Sequence, residues 1–223
     1  MDSVKNTSEI SILSILTNFG CHFSCPYCVY KSNNINIPKT TVDSFGWEEL
    51  ENELKNYKEN LISISGGGDP LYNYENNKEF YDKLFDLLDK YNIGLELHTS
   101  IVDYTFPYKK CERVVFHCIT PTQIEGIVYL RYLLGLENII RVVFVVQEHF
   151  NEYIVKEIVR LVKKYHINEL SFRQMIGADG KPTYTLYDYL KNGHKGDWYY
   201  IEQSDYNKYF VHNHIEEEYL KIK

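Results

Sequence analysis

The chain has 223 residues, of which 44% are hydrophobic and 25% are charged. This length suffices for one sizeable core and is too short for two ordinary domains joined by a linker, so we expect one domain with a tail. The net charge of −7 argues against direct nucleic-acid binding, because phosphate contacts need a local surplus of lysine and arginine. No apolar run is long enough to cross a bilayer and the N-terminus lacks a signal-peptide pattern, which predicts a cytoplasmic protein.

Six apolar segments rich in β-branched residues predict strands, over residues 9–16, 61–65, 94–100, 113–119, 138–146 and 169–175. Segments with helical spacing alternate with most of them: one capped by Asp43 or Ser44, one spanning residues 80–91, one in which Pro121 is the first helical residue, and one spanning residues 154–165. The segment after the third strand is too broken for a regular helix. Alternating strands and helices predict an α/β fold with a parallel sheet, and six units are fewer than the eight of a closed barrel.

The C-terminal part of the chain begins with a turn-forming cluster at residues 177–182. It divides the chain into a core, residues 1–176, and a short C-terminal extension, residues 177–223. Two apolar segments of the extension, 198–201 and 209–211, are expected to pair as a short hairpin. The extension serves either as a lid over an open side of the core or as a segment packed against it, and the sequence leaves both alternatives open.

Three cysteines, Cys21, Cys25 and Cys28, follow the first predicted strand at a CxxxCxxC spacing. Three thiolates on so short a loop can converge on one metal centre, and the chain has no evident disulfide pattern to use them instead. Four ligands normally complete an iron–sulfur cluster or a structural zinc site. A loop with three ligands therefore leaves one coordination position open for chemistry.

A zinc site is the alternative interpretation of this loop. Its fourth ligand would come from His22 or from one of the distant cysteines, Cys111 and Cys118. Those two cysteines are too few for a second cluster, and we interpret them as small buried hydrophobic residues. The aromatic residue Tyr27, just before the last cysteine of the loop, and a glycine run further along favour the iron–sulfur interpretation.

The glycine run, Gly66-Gly67-Gly68-Asp69-Pro70, follows the second predicted strand. Consecutive glycines allow the backbone to approach a ligand closely and to adopt positive φ angles. A carboxylate next to them can accept a charged hydrogen bond from an ammonium group. A tight turn before a helix is the alternative, but its position one βα unit after the cysteines favours a functional loop.

Together, CxxxC-x-aromatic-C and GGDP resemble the signature of the radical S-adenosylmethionine (SAM) superfamily. The resemblance covers roughly residues 9–176 and implies an open partial (β/α)6 barrel. It also implies that Cys21, Cys25 and Cys28 hold a [4Fe-4S] cluster whose fourth iron is chelated by SAM, and that Tyr27 lies against the adenine of SAM.

The same resemblance assigns the amino group of SAM to Gly67, Gly68 and Asp69. Here Asp69 stands where glutamate is commoner in the family, which shortens the side chain by one methylene group. Polar residues at the ends of later strands are further candidates for the cofactor site, and among them we select Ser100 and Arg173. His98 and His117 are interpreted as core histidines with satisfied hydrogen bonds.

The activity that the resemblance implies is reductive cleavage of SAM to a 5′-deoxyadenosyl radical, which abstracts hydrogen from a small substrate such as an amino acid, a nucleoside or a nucleobase derivative. An electron donor such as flavodoxin or ferredoxin would be the protein partner, and the sequence does not indicate an oligomeric state. One alternative is an activase that acts on a glycyl-radical partner protein, and another is a non-catalytic zinc-binding module.

Overall fold

The computed structural model describes residues 12–175, 181, 183, 185–193, 198–201 and 208–222. Within these residues the chain forms nine strands. They are β1 (Leu13–Thr17), β2 (Leu61–Gly66), β3 (Gly94–Thr99), β4 (Arg113–Cys118), β5 (Ile139–Val146), β6 (Glu169–Gln174), β7 (Trp198–Ile201), β8 (Lys208–Val211) and β9 (His214–Glu216).

Six α-helices lie among the described residues. They are α1 (Val29–Asn33), α2 (Trp47–Lys55), α3 (Lys78–Tyr91), α4 (Gln123–Leu134), α5 (Glu152–Lys164) and α6 (Tyr187–Gly193). No helix in this part of the chain is both long enough and apolar enough to cross a lipid bilayer.

All nine strands belong to one sheet, in the order β7-β6-β5-β4-β3-β2-β1-β8-β9. Strands β1 to β6 are parallel to their neighbours, as are β7 and β8 at the two sides, and β9 is antiparallel to β8. The sheet does not close into a barrel. The six predicted strands and the open, partial-barrel α/β fold are therefore confirmed.

The hairpin predicted in the C-terminal extension is wrong. Strand β7 pairs with β6 and strand β8 pairs with β1, so the two segments lie on opposite sides of the sheet. Each is short and apolar and can pair with any open strand edge, so the local pattern does not determine its partner. The polar residues 203–207 expected between them lie outside the described residues, and the division at residue 176 stays a prediction.

Two predicted helix starts are also wrong. Helix α2 is preceded by Gly46, because Ser44 hydrogen-bonds back to Thr41 and does not cap the helix. Helix α4 begins at Gln123, two residues after Pro121. The side-chain oxygen of Gln123 accepts hydrogen bonds from the backbone of residues 119 and 120, which holds the preceding turn outside the helix.

The two faces of the sheet differ in chemistry because alternate residues of a strand lie on opposite faces. One face carries residues such as Leu97 and Phe116, which pack in the main hydrophobic core with the helices. The other face of β3 to β6 carries an interior ion-pair network of Glu96, Arg113, Arg141 and Glu169. The N–O distances are 2.7 Å for Arg113–Glu96, 2.6 Å for Arg141–Glu169 and 3.5 Å for Arg113–Glu169. The interior of the partial barrel is therefore polar in this region.

The position of β8 beside β1 predicts a stability effect. Phe210 on β8 is 0% exposed and its ring centroid lies 5.4 Å from that of Phe45. We expect Phe210→Ala to lower the free energy of unfolding by about 3–5 kcal/mol, because it leaves a cavity in the core. Tyr132→Ala is the control, since Tyr132 is 84% exposed and should change stability by about 0.5 kcal/mol or less. Equal urea midpoints for the two variants would show that β8 is not part of the sheet.

Candidate active site

The cysteine loop, residues 18–28, is anchored at its base by Asn18. The backbone N–H of Asn18 donates to the hydroxyl of Thr40 at 2.8 Å, and its side-chain amide donates to the carbonyl of Ile37 at 2.7 Å. The side-chain oxygen of Asn18 accepts a hydrogen bond from the N–H of Gly20 at 3.2 Å. Gly20 has a φ of +106°, which favours glycine. The backbone between the end of β1 and the first cysteine is thus held in place by hydrogen bonds.

The glycine bend, residues 66–69, packs directly on this loop. The N–H of Asp69 donates to the carbonyl of Gly20 at 2.9 Å, and the N–H of Gly67 donates to the carbonyl of Thr17 at 2.8 Å. A Cβ atom at position 68 would lie 2.1 Å from the carbonyl oxygen of Gly20. At position 66 it would lie 2.2 Å from the carbonyl oxygen of Thr17.

Close approach of backbone to backbone is therefore the reason for glycine at positions 66 and 68. The positive φ angles that the sequence also suggested do not occur there, since Gly20 and Gly135 are the glycines with positive φ in the described part of the chain. What the bend approaches most closely is the chain segment that leads into the first cysteine.

The carboxylate of Asp69 ties the glycine bend to the end of β3. It is 5% exposed, and its Oδ1 accepts hydrogen bonds from the N–H of Leu71 at 3.0 Å and the hydroxyl of Thr99 at 2.6 Å. Its Oδ2 accepts a hydrogen bond from the N–H of Ser100 at 2.6 Å. Burial raises the pKa of Asp69, although these hydrogen bonds act in the opposite direction. A carboxylate has about four acceptor positions, so three donors leave one for an amino group.

Cys25 lies within electrostatic reach of both other thiols of the cysteine loop. Burial raises the pKa of Cys25, and the neighbouring Cys21 and Cys28 raise it further, while a hydrogen bond from Tyr27 and the charge of Lys31 lower it. A cation bound among such sulfurs would relieve the repulsion between their thiolate forms.

The donor chemistry of the loop fits an iron–sulfur cluster, since thiolates are the usual ligands of these clusters. In the described part of the chain, no group of three or more histidine, cysteine, aspartate or glutamate side chains is already arranged to hold a metal ion. The thiols are therefore neighbours without forming a complete ligand set. The metal-binding role of Cys21, Cys25 and Cys28 stays a prediction.

Tyr27 and Ser100 both lie in this region. Tyr27 lies close enough to Cys25 to lower the pKa of that thiol, and it lies within electrostatic reach of Cys118 at the end of β4. The backbone N–H of Ser100 donates a hydrogen bond to the carboxylate of Asp69, the last residue of the glycine bend. The structure therefore brings the cysteine loop, the glycine bend and Ser100 together, at the carboxyl ends of β1 to β3.

Arg173 lies apart from these residues. It is on β6, separated from β3 by two strands, and is within electrostatic reach of His117 on the inner face of the sheet. Its proximity to His117 associates Arg173 with the interior of the partial barrel rather than with the glycine bend.

Cys111 and Cys118 are buried in the main hydrophobic core. Burial raises the pKa of both thiols, that of Cys118 to about 12. Both cysteines pack as small hydrophobic residues, as predicted.

Sequence reasoning missed two residues that support the site. Asn18 and Gly20 shape the base of the loop, and a glycine directly before the first cysteine was the available signal. His98 and His117 are hydrogen-bonded, as expected, but to each other and to Glu96 on the inner face of the sheet. The alternation of His98 with Leu97 and Thr99 was the signal that it faces away from the core.

Comparison with solved structures supports this fold. The structure of native anSMEcpe with bound AdoMet matches with a TM-score of 0.57 and 19% sequence identity, over 83% of this chain and 63% of that one. Methylornithine synthase (PylB) matches with a TM-score of 0.56 and 13% identity, over 77% of this chain and 56% of that one. anSMEcpe with bound AdoMet and the Cp18Cys peptide matches with a TM-score of 0.52 and 20% identity, over 74% and 51%.

These neighbours are radical SAM enzymes. The chain is an open, mostly parallel α/β protein with a cysteine loop at the carboxyl ends of its strands. Its fold is that of the radical SAM enzymes. The chain spans between about half and just under two thirds of the length of these neighbours. No protein-family model and no curated protein sequence matches it.

The contact of Gly68 with Gly20 predicts the effect of a single methyl group. In Gly68→Ala the new Cβ would overlap the carbonyl of Gly20, so we expect the bend and the cysteine loop to separate, at a cost of about 1–3 kcal/mol in unfolding free energy. The thiols of the loop should also react faster with a maleimide. Gly126→Ala is the control, because no atom lies within 4 Å of its new Cβ and alanine favours the helix. Unchanged thiol reactivity in Gly68→Ala would contradict the contact.

The Asp69 carboxylate predicts a second effect. In Asp69→Asn a side-chain NH2 group would face at least one of the donors from Thr99, Leu71 and Ser100, and we expect a loss of about 1–3 kcal/mol. Because burial raises the folded-state pKa, the stability contributed by Asp69 should be largest below its unfolded value of about 3.9 and should fall as pH rises towards the folded value. Urea unfolding of both proteins between pH 3 and 7, where both fold, measures this. An identical pH dependence would contradict it.

Proposed function

We propose that this protein is a radical SAM enzyme in which Cys21, Cys25 and Cys28 hold a [4Fe-4S] cluster and SAM binds between the cysteine loop and the glycine bend. When bound, the cluster and SAM would supply the one-electron chemistry for hydrogen abstraction from the substrate. The observation that carries the proposal is the 2.9 Å hydrogen bond from the N–H of Asp69 to the carbonyl of Gly20. It joins the two motifs, distant in sequence, into one surface.

The chain's own residues would bind and orient SAM. Gly67 and Gly68 present backbone without side chains next to the cysteine loop, where the amino group of SAM would bind. Asp69 would hold this backbone in place through its bonds to Thr99 and Ser100, and its remaining acceptor position would receive a hydrogen bond from the amino group. Tyr27 would provide the aromatic surface for the adenine.

The polar interior of β3 to β6 supports a small, polar substrate such as an amino acid, a nucleoside or a nucleobase derivative. Its charged groups are already paired with each other, so a ligand there meets fixed dipoles and ion pairs instead of bulk water. An electron donor such as flavodoxin or ferredoxin would reduce the cluster from outside. The peptide bound in one structural neighbour supports a second candidate, a radical enzyme that acts on a peptide or on a partner protein, as a glycyl-radical activase does.

The test of this proposal is anaerobic reconstitution with iron and sulfide, followed by dithionite and SAM. We expect a brown protein with about four irons per chain and formation of 5′-deoxyadenosine. Cys25→Ala should abolish the product, whereas Cys111→Ala removes a thiol from the core and should retain it. A colourless protein that holds zinc and forms no 5′-deoxyadenosine would contradict the proposal and would favour a zinc-binding module. Full activity in Cys25→Ala would contradict the ligand assignment.

A further inference from the structure

Three side chains on the inner face of the sheet form a hydrogen-bonded chain. Nε2 of His98 lies 2.7 Å from Oε1 of Glu96, and Nδ1 of His98 lies 3.1 Å from Nε2 of His117. The side chains of Glu96 and His98 are 6% and 12% exposed, and His117 is half-buried. The chain therefore runs from a buried carboxylate to an imidazole with an accessible surface.

The outer end of this chain is a nitrogen that is open to a ligand. Nδ1 of His117 makes no hydrogen bond within the described part of the chain. It is also accessible to solvent, unlike the fully buried polar atoms that lack a partner. His117 follows Phe116, which is the Cα partner of Thr99 in the sheet, and Thr99 bonds to Asp69. The open nitrogen thus lies one strand away from the residues that hold the glycine bend.

The geometry allows two protonation states that differ by one proton. In the first, neutral His98 donates from Nε2 to Glu96, and its Nδ1 accepts a hydrogen bond from Nε2–H of His117, whose Nδ1 is unprotonated. In the second, His98 is an imidazolium that donates to both neighbours, and His117 carries its hydrogen on Nδ1. A proton that arrives at Nδ1 of His117 converts the first state into the second.

The surrounding charges favour placement of the added charge on His98. Burial, the charge of His98 and the charge of Arg173 hold the pKa of His117 well below its usual value, Arg141 acts in the same direction, and Glu96 opposes them. Burial alone would raise the pKa of Glu96, but its bond with His98 and the nearby arginines keep it well below its usual range. An ionised carboxylate next to His98 stabilises the imidazolium there.

We infer that Glu96, His98 and His117 form a proton relay that accepts a proton from the substrate in the interior of the partial barrel. This inference rests on the proposed function. The substrate would be a small molecule with a hydroxyl or ammonium group on the carbon that loses hydrogen, because removal of that hydrogen makes the group more acidic. His117 contacts the substrate and is the catalytic residue, whereas His98 and Glu96 are positioning residues.

The relay step moves one proton at each link and no electron. The O–H or N–H bond of the substrate breaks as an Nδ1–H bond forms on His117. The Nε2–H bond of His117 breaks as an Nδ1–H bond forms on His98. The positive charge then rests on His98 beside the Glu96 carboxylate, and reversal of the same steps returns the proton to the product or to water.

Nitrogen-15 NMR of histidine-labelled, cluster-loaded protein with the cluster oxidised tests the relay from pH 5 to 9. We expect His98 to become an imidazolium as the pH falls, while His117 remains neutral and shifts its hydrogen from Nε2 to Nδ1. Diethyl pyrocarbonate, which attacks accessible unprotonated imidazoles, should modify His117 and not His98. A His117 that becomes charged itself, keeps one tautomer throughout or does not react with the reagent would overturn the inference.

Two variants separate the relay from a purely structural network. Glu96→Gln should reduce the shift of the His117 hydrogen from Nε2 to Nδ1 at a given pH, because it removes the carboxylate beside His98. Glu169→Gln is the matched control on the same face, since Glu169 bonds to Arg141 and Arg113 and not to His98, and the titration should stay near that of the wild type. Equal effects of the two variants would contradict the relay. If Glu96→Gln does not fold, the tautomer shift of His117 in the wild-type protein alone tests the relay.

Formation of 5′-deoxyadenosine distinguishes failure of the relay from failure of the proposed function. Reductive cleavage of SAM without substrate does not need the relay, so the wild-type protein reports on the radical chemistry independently of the histidines. A wild-type protein that forms no 5′-deoxyadenosine refutes the proposed radical chemistry, whatever the histidines do. A protein that forms 5′-deoxyadenosine without the tautomer shift at His117 refutes the relay alone.

Discussion

The site depends on one contact between two backbone segments, the glycine bend after β2 and the segment that leads into the first cysteine after β1. The parallel pairing of β1 with β2 brings these segments to the same end of the sheet, and the absence of side chains at positions 66 and 68 lets them touch. The Asp69 carboxylate then extends this connection to β3 through Thr99 and Ser100. Hydrogen bonds thereby join the carboxyl ends of three neighbouring strands into one rigid surface, as precise positioning of a cofactor requires.

The inner face of the sheet is organised by its ion-pair network. Its two arginines, on β4 and β5, lie between a glutamate on β3 and a glutamate on β6, so each carboxylate lies beside a guanidinium, and these pairs partly offset the cost of burying the charges. The ion-pair network occupies one end of the polar interior, and the histidine pair extends from it towards the carboxyl ends of the strands. The part of the molecule proposed to receive the substrate is therefore preorganised by the fold itself.

Most of the fold could be predicted from sequence because each of the six main strands has a local apolar pattern. A helix or loop after each strand then returns the chain to the end of the sheet where the next parallel strand begins. The pairing partners of β7 and β8 could not be predicted, because either sheet edge can accept a short strand and the local sequence does not determine which edge it reaches. At the site, the cysteine spacing and the glycine run identified the two segments that meet. The support from Asn18 and the role of the inner-face histidines depend on contacts between elements, which a linear pattern does not contain.

The central claim is that the thiol loop and the glycine bend form a single cofactor site. Electron–nuclear double resonance of the reconstituted, reduced protein with SAM labelled with nitrogen-15 at its amino group tests this claim most directly. The account predicts a hyperfine coupling between that nitrogen and the cluster, which Gly68→Ala weakens or abolishes. A protein that binds both the cluster and SAM but gives no such coupling would contradict it.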